Sequence, residues 1–117
     1  MGKNKYGKEF HKKKAEEKSN KLGDPIRGGK IKASHILVEK YTKAQEIYED
    51  LQSGKNFENL ARNYSLCSSK KKGGNLGEFF KGAMVPEFWN ACIQLRVGEI
   101  STPVKSKFGY HIIKRTG

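Results

Sequence analysis

The stretch 31–40, IKASHILVEK, places the strongest single constraint on the fold. Alternate residues from Ile31 to Leu37 lie on one face of a strand, and Ile36 and Val38 lie on the other. A strand that is apolar on both faces is covered on both sides by other parts of the protein. The stretch therefore predicts a strand in the centre of a sheet.

Three further stretches have the periodicity of helices. The first opens with TKAQ, the pattern of a capping box with Thr42 as N-cap, and Gly54 supplies its C-terminal stop. In the second, Asn56 is the predicted N-cap, and the apolar spacing continues to about Tyr64. The third is MVPEFWNACIQL, where Pro86 is compatible with a helix because it lies in the first turn.

Three more strands complete the predicted order of elements. NLGEFF follows a turn for which Gly73 or Gly74 needs a positive φ. Residues 100–104 and 108–115 are close enough in the chain to pair as an antiparallel hairpin. The order of strand, two helices, strand, helix and two strands predicts an α+β domain with helices packed around a small sheet.

Charge divides the chain of 117 residues into two parts. Residues 1–30 hold ten basic and four acidic side chains and few apolar ones, so we predict a disordered basic arm there and one folded domain over 31–117. The formal net charge of +12 would attract polyanions in general but does not identify a particular partner.

No apolar run approaches the roughly 20 residues that span a bilayer, and no secretory leader is recognised. We expect a cytoplasmic monomer with reduced cysteines at positions 67 and 92.

Three side chains are the main candidates for catalytic residues: His35, Cys67 and His111. Either histidine alone is best interpreted as a packed core residue, whereas a mutual hydrogen bond would satisfy both rings. A Cys-His nucleophilic pair is the weaker interpretation because the sequence shows no oxyanion loop and no third orienting residue. The cysteines and histidines lack the short spacing of zinc ligands, and GGNLG lacks the GK[ST] ending of a phosphate-binding loop.

Three motifs in this order resemble the parvulin family of peptidyl-prolyl cis/trans isomerases, most closely its small single-domain bacterial type. They are ASHILV at 33–38, FENLARNYSLCSSKKKGGNLGEFFKGAMVPEF at 57–88 and FGYHIIKR at 108–115. The resemblance implies a βα3βαβ2 fold, with a four-stranded, largely antiparallel sheet surrounded by helices. It also implies a substrate groove on one side of that sheet.

The resemblance also implies the residues of the site. His35 and His111 correspond to the paired histidines of the active centre, and Cys67 to a thiol beside the reacting peptide bond. Related proteins carry Asp at that position, so the thiol is expected to adjust the local electrostatics. The apolar pocket for the proline ring is expected to comprise Leu76, Met84, Phe88 and Phe108. From their spacing alone, helix core is the preferred explanation of Met84 and Phe88.

The activity that the resemblance implies is faster rotation about X-Pro bonds in unfolded or flexible proline-containing polypeptides, as an aid to folding, with no metal and no cofactor. Phosphate selection is not expected, because only residues 39–41 connect the first strand to the first helix. Lys70, Lys71 and Lys72 are candidate contacts for an acidic residue before the proline.

Two other functions remain open from the sequence. The domain could hold proline-containing peptides as a chaperone with little catalysis. Alternatively, the arm over 1–30 could bind nucleic acid or a ribosome, which predicts an affinity that falls steeply with salt. A solubilising tail explains the arm equally well.

Overall fold

The structure is a computed structural model that describes residues 23–117. Its elements, in chain order, are β1 (Lys30–Val38), α1 (Tyr41–Gln52), α2 (Phe57–Tyr64), a 3₁₀ helix (Ser68–Lys72), β2 (Asn75–Phe80), α3 (Pro86–Ile93), β3 (Val104–Ser106) and β4 (Gly109–Arg115). The predicted α+β class is confirmed. The 3₁₀ helix is the third helical element of the βα3βαβ2 pattern, and the periodicity of the sequence does not predict it.

The four strands form one antiparallel sheet in the order β2-β1-β4-β3. As predicted, β1 is central, and it lies next to β4. In their register His35 is opposite Ile113, and Leu37 is opposite His111. The two histidines therefore lie on neighbouring strands, two residues apart in the register.

Apolar residues cover both faces of the sheet and form two separate cores. The first core joins the sheet to α1 and α2 through Ile36, Val38, Ala44, Ile47, Leu51, Phe57, Leu60, Ala61 and Ile112. The second joins it to α3 and comprises Ile31, Ala33, Phe79, Phe88, Trp89, Cys92, Leu95 and Ile113. Because β1 contributes to both, its alternating pattern is explained by burial on two sides.

The two predicted helix caps have different outcomes. Asn56 caps α2 as expected, since its Oδ1 accepts a hydrogen bond from the Asn59 amide at 2.8 Å. The assignment of Thr42 as N-cap of α1 is wrong: Lys40 holds that position in an extended conformation, without a side-chain cap. Since β1 ends at Val38, the short connection starts the helix before Thr42.

The predicted strand over 100–104 lies later in the chain, at Val104–Ser106. Ile100 makes only an isolated bridge to Lys114. Ser101 bonds to Ile113 through both its backbone N–H and its Oγ. Pro103 lacks an amide hydrogen and cannot donate to a continuous ladder, so regular pairing begins after it.

Residues before Ile31, near which the sequence predicts the start of the folded domain, also make contacts with it. The Arg115 guanidinium donates to the carbonyl oxygens of Asp24 at 2.9 Å and Pro25 at 3.1 Å. The Asp24 carboxylate in turn accepts a hydrogen bond from the Val97 amide at 2.7 Å. Residues from Asp24 onward therefore belong to the folded unit, whereas residues 1–22 of the predicted arm lie outside the described part. In residues 23–117 no helix has both the length and the apolar character needed to cross a membrane.

Candidate active site

Two buried histidines meet at the centre of the sheet. His35 Nδ1 and His111 Nδ1 lie 3.0 Å apart, and the two rings stack at a centroid distance of 5.2 Å with 20° between their planes. A hydrogen bond between two Nδ1 atoms requires one ring to donate and the other to accept. The mutual pairing expected from the sequence is present, and it couples the proton positions of the two rings.

Ser106 extends this hydrogen-bonded pair to a third residue. Its Oγ lies 2.7 Å from His111 Nε2 and also accepts a hydrogen bond from the Phe108 amide at 3.1 Å. Ser106 was not predicted as a site residue. The available signal was a hydroxyl side chain just after the predicted strand 100–104, two residues before the motif 108–115 that carries His111.

Burial keeps both imidazoles neutral. Desolvation, followed by the charge of neighbouring His111, lowers the pKa of His35 from 6.5 to about 4. Desolvation also lowers the pKa of His111, and the Glu87 carboxylate opposes that effect. At neutral pH the pair is therefore a hydrogen-bonded, uncharged scaffold. His35 Nε2 is buried without a hydrogen-bond partner in residues 23–117.

A cavity of about 340 Å³ opens beside the pair. Its lining residues are His35, Leu37, Cys67, Leu76, Ala83, Met84, Val85, Phe88, Phe108 and His111. The structure thus brings together the three candidate catalytic residues and the four candidate pocket residues. Leu37, Ala83 and Val85 were not predicted, since each looks like an ordinary apolar residue in the sequence.

Phe88 connects the cavity to the core. Its ring meets the His35 and His111 rings edge-on, at 5.4 Å in each case, and its side chain is 2% exposed. It also packs against Phe79 within the second core. Both interpretations of Phe88 therefore apply, because one side chain serves as helix core and as cavity wall. Phe108, by contrast, is 57% exposed and forms an open part of the wall.

The loop after α2 carries Cys67 to the cavity. The Cys67 amide donates to Ser65 Oγ, which also accepts the Leu37 amide of β1. Gly74 brings the chain back against β1: its carbonyl accepts the His35 amide at 2.9 Å. Its φ is +90°, and an added Cβ would lie 2.5 Å from the His35 carbonyl oxygen. A glycine with positive φ is required here, as the sequence predicted.

The remaining candidates lie away from the cavity wall. Lys70, Lys71 and Lys72 are exposed on the 3₁₀ helix and do not line the cavity. Cys92 is a buried core thiol, and desolvation raises its pKa to about 12 despite the opposing charge of Arg115. Over residues 23–117, no group of three His, Cys, Asp or Glu side chains is placed to hold a metal ion.

Comparison with known proteins agrees with this geometry. The Rotamase family model, which describes the PPIC-type peptidyl-prolyl isomerase domain, matches residues 30–117. Foldase protein PrsA 1 of Bacillus cereus is 55% identical over 87 residues, which cover 74% of this chain and 30% of that relative. The chain thus spans less than a third of that curated relative's length.

Two solved structures extend the comparison to three dimensions. The crystal structure of the peptidylprolyl isomerase PrsA from Bacillus anthracis superposes with a TM-score of 0.75 at 54% identity, covering 75% of this chain and 41% of that one. The solution structure of NmPin, the parvulin of Nitrosopumilus maritimus, has a TM-score of 0.70 at 55% identity, covering 80% of this chain and 100% of that one. The chain therefore belongs to the PPIC-type peptidyl-prolyl cis/trans isomerase (parvulin) family, and residues 30–117 form its isomerase domain.

Proposed function

We propose that this chain accelerates rotation about X-Pro peptide bonds in unfolded or flexible polypeptide segments, without a covalent intermediate. The observation that carries the proposal is the cavity beside the histidine pair. Seven of its ten lining residues are apolar, and the other three are His35, Cys67 and His111. An apolar recess of this kind suits a pyrrolidine ring, and the few polar groups stand where the adjoining peptide bond would lie.

The reaction needs rotation and no bond cleavage. Uncatalysed rotation about the amide bond faces a barrier of about 18–20 kcal/mol because the planar amide is stabilised by resonance. An enzyme lowers the barrier by binding the twisted amide better than either planar form, and each tenfold acceleration needs about 1.4 kcal/mol of such preference. Gripping the ring among Leu76, Met84 and Phe88 would fix one end of the bond while the other end turns.

The histidine pair is proposed to supply the polar part of this preference. If the Ser106 hydroxyl donates to His111 Nε2, then His111 Nδ1 donates to His35 Nδ1, and His35 Nε2 carries a proton. In the opposite arrangement His111 Nε2 donates to Ser106, and His35 Nε2 is an acceptor. His35 Nε2 has no partner of its own within the described residues. Cys67, on the cavity wall, is proposed to adjust the electrostatics there.

The substrate is proposed to be non-phosphorylated. In the structure only Glu39 and Lys40 connect β1 to α1, so this connection offers no basic loop to bind a phosphate. Lys70, Lys71 and Lys72 remain proposed contacts for an acidic residue before proline. A folding-helper role is favoured by the foldase name of the PrsA relatives. The cytoplasmic location, the monomeric state and a polyanion partner of the arm stay predictions.

Exchange NMR on short peptides tests the proposal. The series carries Ala, Leu, Arg, Glu or phosphoserine before the proline. We expect faster cis/trans exchange on the Leu and Arg peptides at substoichiometric enzyme, and loss of most of that rate in Met84→Ala/Phe88→Ala. Val97→Ala, an exposed apolar residue outside the cavity, is the control. Binding of the peptides without any acceleration by the folded protein would instead favour a chaperone module.

A further inference from the structure

A second cavity lies at the opposite end of the two central strands, where β1 begins and β4 ends. Its volume is about 430 Å³, and its lining residues are Asp24, Pro25, Arg27, Lys30, Lys32, Glu78, Val97, Arg115 and Gly117. None of them lines the isomerase cavity. The proposed isomerase mechanism therefore does not use this second cavity.

Positive charge dominates the side chains of the second cavity. Four of them are Lys or Arg, and only Asp24 and Glu78 are acidic. Both carboxylates already have partners: Glu78 lies 3.4 Å from Lys30 Nζ, and Asp24 accepts the Val97 amide. Within residues 23–117, neither Arg27 nor Lys32 has a carboxylate at salt-bridge distance. Four cationic side chains against two carboxylates leave the side chains of this cavity with a net charge of +2.

Arg115 is the most deeply buried of these cations, with an exposed fraction of 1%. Within residues 23–117 its guanidinium donates to backbone oxygens of Asp24, Pro25, Leu95 and Gly117. The first three are neutral amide carbonyls, and the fourth belongs to the terminal residue, whose carboxylate lies beside the guanidinium. A buried cation whose partners are mostly neutral stabilises a further anion nearby electrostatically.

The cationic side chains are held by ordered backbone. Arg27 and Lys30 face each other across a tight turn, in which Gly28 and Gly29 both have positive φ, 65° and 76°. Two consecutive residues of this conformation are typical of a two-residue hairpin turn. The backbones of Lys32 and Gly117 are joined by two hydrogen bonds. The cavity is therefore largely formed before any ligand enters, which lowers the entropic cost of binding.

We propose that this second cavity binds a phosphate-type oxyanion. Arg and Lys side chains are the usual partners of phosphate oxygens, and the volume accommodates either free phosphate or a phosphomonoester group carried by a larger molecule. Binding at this site is independent of the proposed isomerase activity. An occupied site would also stabilise the segment 24–27, which forms one wall.

NMR titration of the full chain with inorganic phosphate, at constant ionic strength balanced with chloride, tests this site. We expect saturable shifts of the amides lining the second cavity and of the Arg115 Nε–H signal, and no shift at His35 or Cys67. In Arg27→Ala/Lys32→Ala the affinity should fall about tenfold, since two uncompensated charges are removed. In Glu78→Gln the affinity should rise. A parallel titration with phosphoserine distinguishes free phosphate from a phosphomonoester as the preferred form.

The matched control is Lys40→Ala/Lys105→Ala, which removes the same charge from exposed positions outside both cavities. Its affinity for phosphate should change less than about twofold if binding is local. Shifts that do not saturate, or that weaken equally in both double variants, would mean general attraction to a cationic protein and would overturn the proposal. The exchange rate of the Leu-Pro peptide, measured alongside, reports the isomerase activity separately.

Discussion

His35 makes the folded state sensitive to acid. Because burial lowers its pKa from 6.5 to about 4, the unfolded chain takes up a proton in this range that the folded chain does not. The resulting stability is fully present above about pH 6.5 and is lost as the pH falls toward about 4. We expect urea unfolding to give a free energy about 2 kcal/mol lower at about pH 5 than at about pH 7, before most carboxylates titrate. Equal free energies at the two pH values would contradict the buried, neutral pair.

Ser106 holds His111 in place, so its hydroxyl should matter to both stability and activity. Ser106→Ala leaves His111 Nε2 buried without its partner, which should cost about 1–3 kcal/mol of unfolding free energy. The isomerase rate should fall as well, because the pair loses its fixed ring orientation. Ser53→Ala is the control: its exposed hydroxyl bonds only the Asp50 carbonyl, and its loss should cost at most about 0.5 kcal/mol. An equal loss of unfolding free energy in both variants would contradict a role for Ser106 in holding His111.

At the scale of elements, mutation can show which of the two predicted N-caps stabilises its helix. Asn56→Ala removes the acceptor of the Asn59 amide and should lower the unfolding free energy by about 1 kcal/mol. Thr42→Ala should change it by less than about 0.5 kcal/mol, since Thr42 lies inside the first turn of α1 and caps nothing. Thermal or urea unfolding of both variants is sufficient. A larger loss of stability in Thr42→Ala would support Thr42 as the N-cap after all.

Features that depend on residues close together in the sequence were predictable. The apolar alternation of β1, the cap at Asn56, the first-turn Pro86 and the glycine turn at Gly73 and Gly74 all reflect local geometry. Seven of the ten residues that line the first cavity were predicted, and only through the family motifs, because a cavity is formed by side chains distant in sequence.

Features that depend on tertiary contacts were missed. The start of α1 follows from a short connection, and Ser106 gains its importance only from the strand beside it. The contacts of residues 24–25 were missed because Arg115 holds these residues through their carbonyl oxygens, which every residue type provides. A hydrogen bond to a backbone atom cannot be predicted from the type of residue that accepts it.

At the scale of the whole molecule, Arg115 ties the start of the described chain to its end. A deletion of residues 1–27 removes Asp24 and Pro25 but leaves β1 intact, whereas a deletion of residues 1–22 keeps both contacts. We expect the longer deletion to be about 2 kcal/mol less stable than the shorter one, because a buried guanidinium loses two acceptors. Urea unfolding of the two truncated proteins measures the difference, and equal stability would show that water replaces the lost carbonyls without cost.

The adjacency of β1 and β4 has a consequence for how this protein is made. Ala33, near the start of the domain, pairs with Arg115, so the centre of the sheet cannot close until nearly the whole domain has been synthesised. Loops of this length must be closed before their contacts contribute any stability, which slows folding and leaves strand edges unprotected meanwhile. While the chain emerges from the ribosome, its first strand is therefore an unpaired apolar segment, in the same condition as the polypeptides it is proposed to assist.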